Sequence, residues 1–508
     1  MTIGHALFII LLCTITGSYT WGMRGTIIGG ERGAMLPGAA LALVLLCAGR
    51  VAPVSEAFAF AAAIGAAAMF FGGTQTYGET IGLTLLKDDK KERWRGRIGL
   101  AVKGANWFGI FGGILAVGLG AMAGRYSLLE MCLFTVLLPI VKMLGFFVFN
   151  FPQKPAQNKF PKLYFSKKRH EVWGGLTMIC LYLIVFAIVE KEWFVLIMTV
   201  VGFITGGLGF WIGNLFQTGT HGPRPNGKYL LGKFEENGFV GSWKFMECAF
   251  GAIGGLGVSL CWCLCYDRFV SVYAQQIVAH SGVWQAFNIK TQNILTLVWL
   301  FIFLLFVLRY IFPEPGALRA DVEKKFRSGE IAEDRYRVLM ETAVDKAPPK
   351  IAVFLYQIED IMAWIVFCYV PLFLVLIGNG LTAEIYAFTM VLYVIGDKIC
   401  FGGGSHYRDV PGAPGFHAVL LLLPAVSLVV QLFTDFTFSA RCTFLMYGIS
   451  YLLAEYYVVF NPWRMRALCR EKGSLGKALL SLSSSLSWMS YAAVCVIAMS
   501  VMGIFALK

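Results

Sequence analysis

Charge is what this sequence has least of. Only 14% of its 508 residues are Asp, Glu, Lys or Arg, where soluble domains carry about 25%. The mean hydropathy is +0.68, so the chain reads as an integral membrane protein. Long polar stretches are scarce too. The longest that can be kept out of a bilayer is 314–350, too short and too polar to hold its own core. That excludes a separate soluble domain and leaves no room for a nucleotide-binding one. Metal-ligand spacings are missing as well: the six histidines have no H-x3-H or C-x2-C partner, and Cys261, Cys263 and Cys265 alternate, which spreads them around a helix. Most of the thirteen cysteines lie inside apolar runs or in basic loops and read as small apolar residues instead of disulfide partners. No phosphate-binding G-x-x-x-x-G-K-[ST] motif occurs. Neither a metal nor any other cofactor is expected.

What is present is apolar surface, 57% of residues, in runs of the length a membrane helix needs, roughly 20 residues. Fourteen such runs stand near 5–20, 34–48, 53–72, 99–123, 128–150, 172–189, 193–216, 240–266, 293–313, 351–379, 382–400, 415–434, 438–460 and 478–503. The expected fold is all-α, a polytopic membrane helical bundle forming one membrane domain over 1–508. The net charge of +13 would suggest nucleic acid in another chain. Here the basic residues sit between apolar runs, which excludes a nucleic-acid partner. Alternate loops test the count, because cytoplasmic loops are enriched in Lys and Arg. The segments 22–33, 87–98, 151–171, 217–238, 314–350, 402–414 and 461–477 together hold 31 basic residues, and the loops and ends of the other side hold 6. Those seven are read as cytoplasmic, both termini as facing outward, and the location as the plasma (inner) membrane, crossed many times.

Two boundaries need argument. The run from Val54 to Leu86 would be about 50 Å long as one helix, against a hydrocarbon core of roughly 30 Å. A break at Gly72-Gly73 is expected, with Thr74–Leu86 as a half-helix or re-entrant piece. The first span could be a signal peptide, but no Lys or Arg precedes it and no A-x-A-like site follows, so a retained helix is preferred.

Glycine is abundant, 56 residues. Gly109/Gly113, Gly202/Gly206 and Gly251/Gly255 have the small-xxx-small spacing that lets membrane helices approach closely. Other glycines punctuate polar breaks, at Gly29–Gly33, Gly72–Glu79, Gln217–Arg224 and Gly402–Pro414. Irregular backbone at such places must be satisfied by protein or by cavity water. Three helices expected to descend to the cytoplasmic side end in aromatics followed by Asn150, Asn214 or Asn461. Two expected to return outward begin with Asn106-Trp107 and Ser242-Trp243. This hints at a duplicated two-helix unit; interfacial aromatic belts plus small-residue packing are the competing explanation.

A charged side chain at mid-bilayer costs at least about 2.5–3.5 kcal/mol, so each needs a reason. Lys103, Lys142, Lys244, Glu247, Arg309, Glu359, Asp360, Asp397, Lys398 and Glu455 all fall in the expected cytoplasmic halves of spans, joined by Glu79. Dull readings exist: Lys244 and Glu247 can neutralise each other along one helix, and Lys103, Arg309 and Lys398 can snorkel. Lys142 and the Glu359-Asp360 pair have no opposite charge one turn away. Helix starts after the Gly-rich breaks favour anions. Arg24, Arg32, Lys142, His221, His406 and Arg408, with Glu31, Gln75 and Tyr77, therefore form the candidate substrate-binding set. Glu79, Glu247, Glu359, Asp360 and Asp397 form the candidate coupling-ion set.

Two functions fit. One is a proton- or cation-coupled secondary transporter for a small or lipid-linked anionic substrate, with its site toward the cytoplasmic half. The other is an intramembrane transferase or hydrolase acting on a lipid or lipid-linked phosphate, with Glu31, Glu79, His221, His406 or Asp409 as acid or base. No carboxylate or His spacing diagnostic of the second is present. Membrane lipids are the expected surroundings, and no motif states an oligomeric order.

Overall fold

The computed structural model describes residues 1–24, 30–48, 51, 54–75, 77–86, 88–151, 164–166, 171–220, 242–279, 291, 294–299, 301–302, 317–327, 329, 331–345, 350, 353–354, 358–378, 382–383, 386 and 462–481. All regular structure among them is helical. In chain order the elements that matter here are α1 (Ile3–Met23), α2 (Gly30–Ala48), α3 (Val54–Gly73), the short α4 (Gly78–Thr84), α5 (Lys90–Met122), α6 (Leu128–Gly145), α7 (Trp173–Val189), α8 (Trp193–Thr220), α9 (Ser242–Leu264) and α10 (Ser271–Ala279). Five helical stretches are long and apolar enough to cross a membrane, beginning at Ile3, Lys90, Leu128, Trp193 and Ser242. Shorter apolar helices stand at Gly33–Leu46, Phe60–Gly73, Trp173–Val189 and Ile361–Leu376.

Local chemistry sets the ends of these helices. Asp89 caps α5 by accepting from the Glu92 amide, and Ser127 and Glu130 form a reciprocal capping box at the start of α6. α5 is the central element, with Gly96 to Met122 almost continuously buried. Its neighbours come close because glycines face each other in pairs. A Cβ on Gly104 would strike the Gly206 carbonyl of α8, and one on Gly206 would strike that of Gly104. The same reciprocity joins Gly17 of α1 to Gly251 of α9, and Gly38 of α2 to Gly65 of α3. Apolar side chains lie outside instead of only inside: Leu129, Leu133, Val136, Ile140, Met143 and Leu144 form an exposed stripe on α6, the surface a helix offers to lipid.

Several boundaries differ from the sequence expectation. Residues 90–98, expected in a loop, are the first turns of α5; their charges are compatible with a helix that projects beyond its apolar part, since 33 residues span about 50 Å. The helix starting at Ser242 ends at Leu264, close to the expected 266. A wide π-type turn over Tyr266–Val270 carries the chain into α10. The polar stretch 314–350 contains two helices, α11 (Ala317–Arg327) and α12 (Glu333–Asp345), joined by Phe326 stacked on Tyr336 with ring centroids 4.2 Å apart. Further along, α13 (Glu359–Trp364) runs through another π-type turn, Ile365–Tyr369, into α14 (Val370–Leu376), and α15 (Pro462–Lys472) begins just after Asn461. The break after Gly73 is where the length argument put it: α3 ends there and α4 restarts at Gly78. Thr80, Ile81, Leu83 and Thr84 of α4 are buried, so the irregular backbone lies inside protein.

Candidate functional site

The end of α1, the start of α9 and the α3–α4 break meet, and ionisable side chains meet with them. Arg24 directly follows α1 and is only 2% exposed. Its guanidinium lies 5.0 Å from the ring centroids of Trp21, Tyr77 and Trp107. It donates to the Tyr77 hydroxyl at 2.5 Å. Tyr77, carried by the break, in turn donates to Glu247 Oε1 of α9 at 2.6 Å. Trp243 Nε1, one turn before Glu247, donates to the same oxygen at 3.2 Å, and Arg24 pairs with it at 3.8 Å. The other carboxylate oxygen, Oε2, is buried and has no hydrogen-bond partner among the described residues. The same holds for the indole N–H groups of Trp21 and Trp107.

Aromatic rings wall this triad. Trp21 packs on Trp107 and Phe250 at 5.1 and 4.6 Å, Tyr77 on Phe210 and Trp243 at 5.3 and 6.0 Å, and Phe210 stacks on Phe250 at 4.6 Å. A cation among aromatic faces is held by the ring quadrupoles as well as by its carboxylate. Gly72 admits the wall: a Cβ there would fall on the Trp107 ring.

A second polar group lies on the other side of the break. Lys103, in the middle of α5, is fully buried. Its ammonium donates to Thr80 Oγ1 at 2.8 Å and pairs with Glu171 Oε1 at 3.2 Å. Gln75 Nε2 donates to the Lys103 carbonyl at 2.6 Å. Nearby, Asn214 Nδ2 of α8 donates to Thr84 Oγ1 and to Gln217 Oε1, and Asn150 Oδ1 accepts from the Gly174 amide. Asn150 and Asn214 are thus buried ties between neighbouring elements, although α8 runs on past Asn214 to Thr220. Asn461 lies outside the described residues.

Lys142 belongs to a third place. Its stem packs on Gly175 of α7 and its ammonium lies 3.0 Å from the Trp364 ring centroid. Cys368 and Glu31 are the titratable groups that face it. Glu31 is half-buried in the first turn of α2 and touches Gly73.

The candidate residues therefore divide. Arg24, Tyr77 and Glu247 come together; Gln75 joins Lys103; Glu31 and Lys142 stand apart from both. Glu79 is half-buried at the start of α4. The side chains of Arg32, Glu359 and Asp360, and all of His221, Asp397, His406 and Arg408, lie outside the described residues. Two expectations change. Lys103 does not snorkel: α4 and Glu171 enclose it before it reaches an interface. Glu247 accepts its hydrogen bonds from Tyr77 and Trp243, and it pairs with Arg24 after α1 in addition to facing Lys244 on its own helix. Glu171 and Thr80 went unnoticed, having no local pattern, whereas Trp243 and Glu247 at i and i+4 were a legible pair.

At the opposite end, Glu192 accepts from Arg125 and from the Tyr273 hydroxyl, tying the α5–α6 and α7–α8 turns to α10.

No family model, curated protein or solved structure matches this chain. Its chemistry is read from its own residues.

Proposed function

We propose that this protein is a proton- or cation-coupled secondary transporter for a small or lipid-linked anion. In this reading it crosses the plasma (inner) membrane fourteen times with both termini outside, and its site opens toward the cytoplasmic half. The observation that carries the reading is the Arg24–Tyr77–Glu247 cluster, a cation and a half-satisfied carboxylate buried together where the end of α1 and the start of α9 meet the broken α3–α4 segment.

The chemistry follows from competition. With Glu247 ionised, its carboxylate is the counter-charge of Arg24. A proton placed on the idle Oε2 removes that charge and weakens the hold of Glu247 on the guanidinium, beside the indole N–H groups of Trp21 and Trp107, which have no partner among the described residues. An anion then replaces the carboxylate. Proton and anion each favour the binding of the other, and by linkage the coupling is reciprocal. The α3–α4 break, which carries Tyr77, is the element expected to move, as discontinuous helices do in carriers. Arg32, His221, His406 and Arg408 would line the anion's entry, with Lys142 a further contact; Glu359, Asp360 and Asp397 are the coupling candidates on later spans.

Proteoliposomes test this. Purified protein under an inward proton gradient should accumulate labelled anions, with inorganic phosphate, a small carboxylate and a short polyprenyl phosphate as first probes. Chemical alteration of the polyprenyl phosphate or of phospholipid, without flux of any probe, would instead establish the enzyme reading.

A further inference from the structure

The Lys103 ammonium is a buried cation paired with a buried carboxylate from another part of the chain. It is fully buried, and two oxygens hold it, Thr80 Oγ1 at 2.8 Å and Glu171 Oε1 at 3.2 Å. Glu171 Oε2 is buried without a hydrogen-bond partner among the described residues, and so is Oε1 of Gln75, whose amide nitrogen is bound to the Lys103 carbonyl. These oxygens come from separate parts of the chain, the α3–α4 turn, α4 and the residue two before α7. The two that bond the ammonium, Thr80 Oγ1 of α4 and Glu171 Oε1 before α7, are brought together at this positive charge.

We propose that Lys103 is the tethered occupant of a monovalent-cation site, its ammonium standing where a sodium ion would otherwise bind, and that this commits the carrier to protons as its coupling ion. The second half rests on the transport reading; the site does not. A charge attached to the chain acts at an effective concentration that a free ion at ordinary salt does not match, so sodium has no room to compete. Removing the ammonium leaves a buried carboxylate without counter-charge, and a small cation from solution is the simplest repair.

Thermal unfolding of the full-length purified protein decides it, in sodium chloride, ammonium chloride and N-methylglucamine chloride at equal ionic strength. The unaltered protein should melt alike in all three. Lys103→Ala should melt lower in N-methylglucamine chloride and regain about 2 °C or more in sodium or ammonium chloride. Lys103→Ala with Glu171→Gln should lose that response, because the carboxylate is gone. A Lys103→Ala protein indifferent to the cation, or a double variant that responds equally, overturns the proposal. So does a sodium-specific rise in the unaltered protein, which can be measured even if Lys103→Ala does not fold. In proteoliposomes, uptake by the unaltered protein should be equal in sodium and N-methylglucamine, and Lys103→Ala should become sodium-dependent. If no probe is transported at all, the unfolding series still settles the cation site, so the two failures are distinguishable.

Discussion

Glu247 and Arg24 carry opposite halves of the coupling chemistry, and single changes separate them. Glu247→Gln keeps the shape of the carboxylate and its acceptor for Tyr77 but cannot take up a proton. Such a variant should exchange labelled anion across the membrane at equilibrium while losing proton-driven accumulation altogether. Concentrative uptake by Glu247→Gln would remove this residue from the coupling step. Arg24→Lys retains the charge but not the flat guanidinium that reaches Tyr77 while facing three rings at 5.0 Å. Desolvated cation–π contacts are worth about 2 kcal/mol, and each 1.4 kcal/mol or so is tenfold in affinity. Half-saturation for the anion should therefore rise at least about tenfold, and an unchanged value would exclude Arg24 as the binding cation. Single residues were only partly legible in the sequence. The cost of charge in a membrane pointed to Glu247 and Lys142 because that cost is a property of the residue itself, whereas Arg24 reads only as a loop charge beside a Gly-rich break. Which charges share a site depends on Tyr77 and Glu247, 170 positions apart, and no spacing encodes that.

Helices of this protein approach each other through glycine, and the approach is close enough to be tested one methyl group at a time. Gly104→Ala or Gly251→Ala would drive a Cβ into a backbone carbonyl of the partner helix, which no rotamer change can relieve. Overpacking of this kind costs about 1–3 kcal/mol, so each should lower the melting temperature in detergent. Gly82→Ala in α4 meets nothing within 4 Å and should be neutral or slightly stabilising, since alanine is better than glycine inside a helix. Equal destabilisation by all three would mean that the glycines do not set the helix spacing. At this scale the sequence was informative, because small-xxx-small spacing and the length of 54–86 are local properties: Gly202 and Gly206 of α8 pack against α5, and Gly251 and Gly255 of α9 pack against α1. What it missed are continuations such as the π-type turn at Tyr266–Val270 and the polar start of α5, where packing overrides a boundary drawn from hydropathy.

Across the whole molecule the polar side chains are gathered at the ends. The Arg24, Lys103 and Glu171 groups occupy one end, where the C-terminal ends of α1, α3, α6 and α8 meet the starts of α2, α7 and α9. The Arg125–Glu192–Tyr273 group closes the other end. Between them the surface is apolar, as the exposed stripe on α6 illustrates. An alternating bundle is expected to carry its basic loops on one side, since Lys and Arg resist translocation. The loops expected there hold 31 basic residues against 6 on the other side, and one missed or surplus span would exchange the sides of every later loop. Labelling of intact cells checks this at two points far apart in the chain. A cysteine-reactive tag inserted after Lys325, an exposed residue of α11, should be protected from an impermeant reagent, and the same tag after Lys508 should react. Reaction at both, or protection at both, would mean an even number of crossings between them instead of the odd number expected. The charge asymmetry would then need another origin than the positive-inside rule.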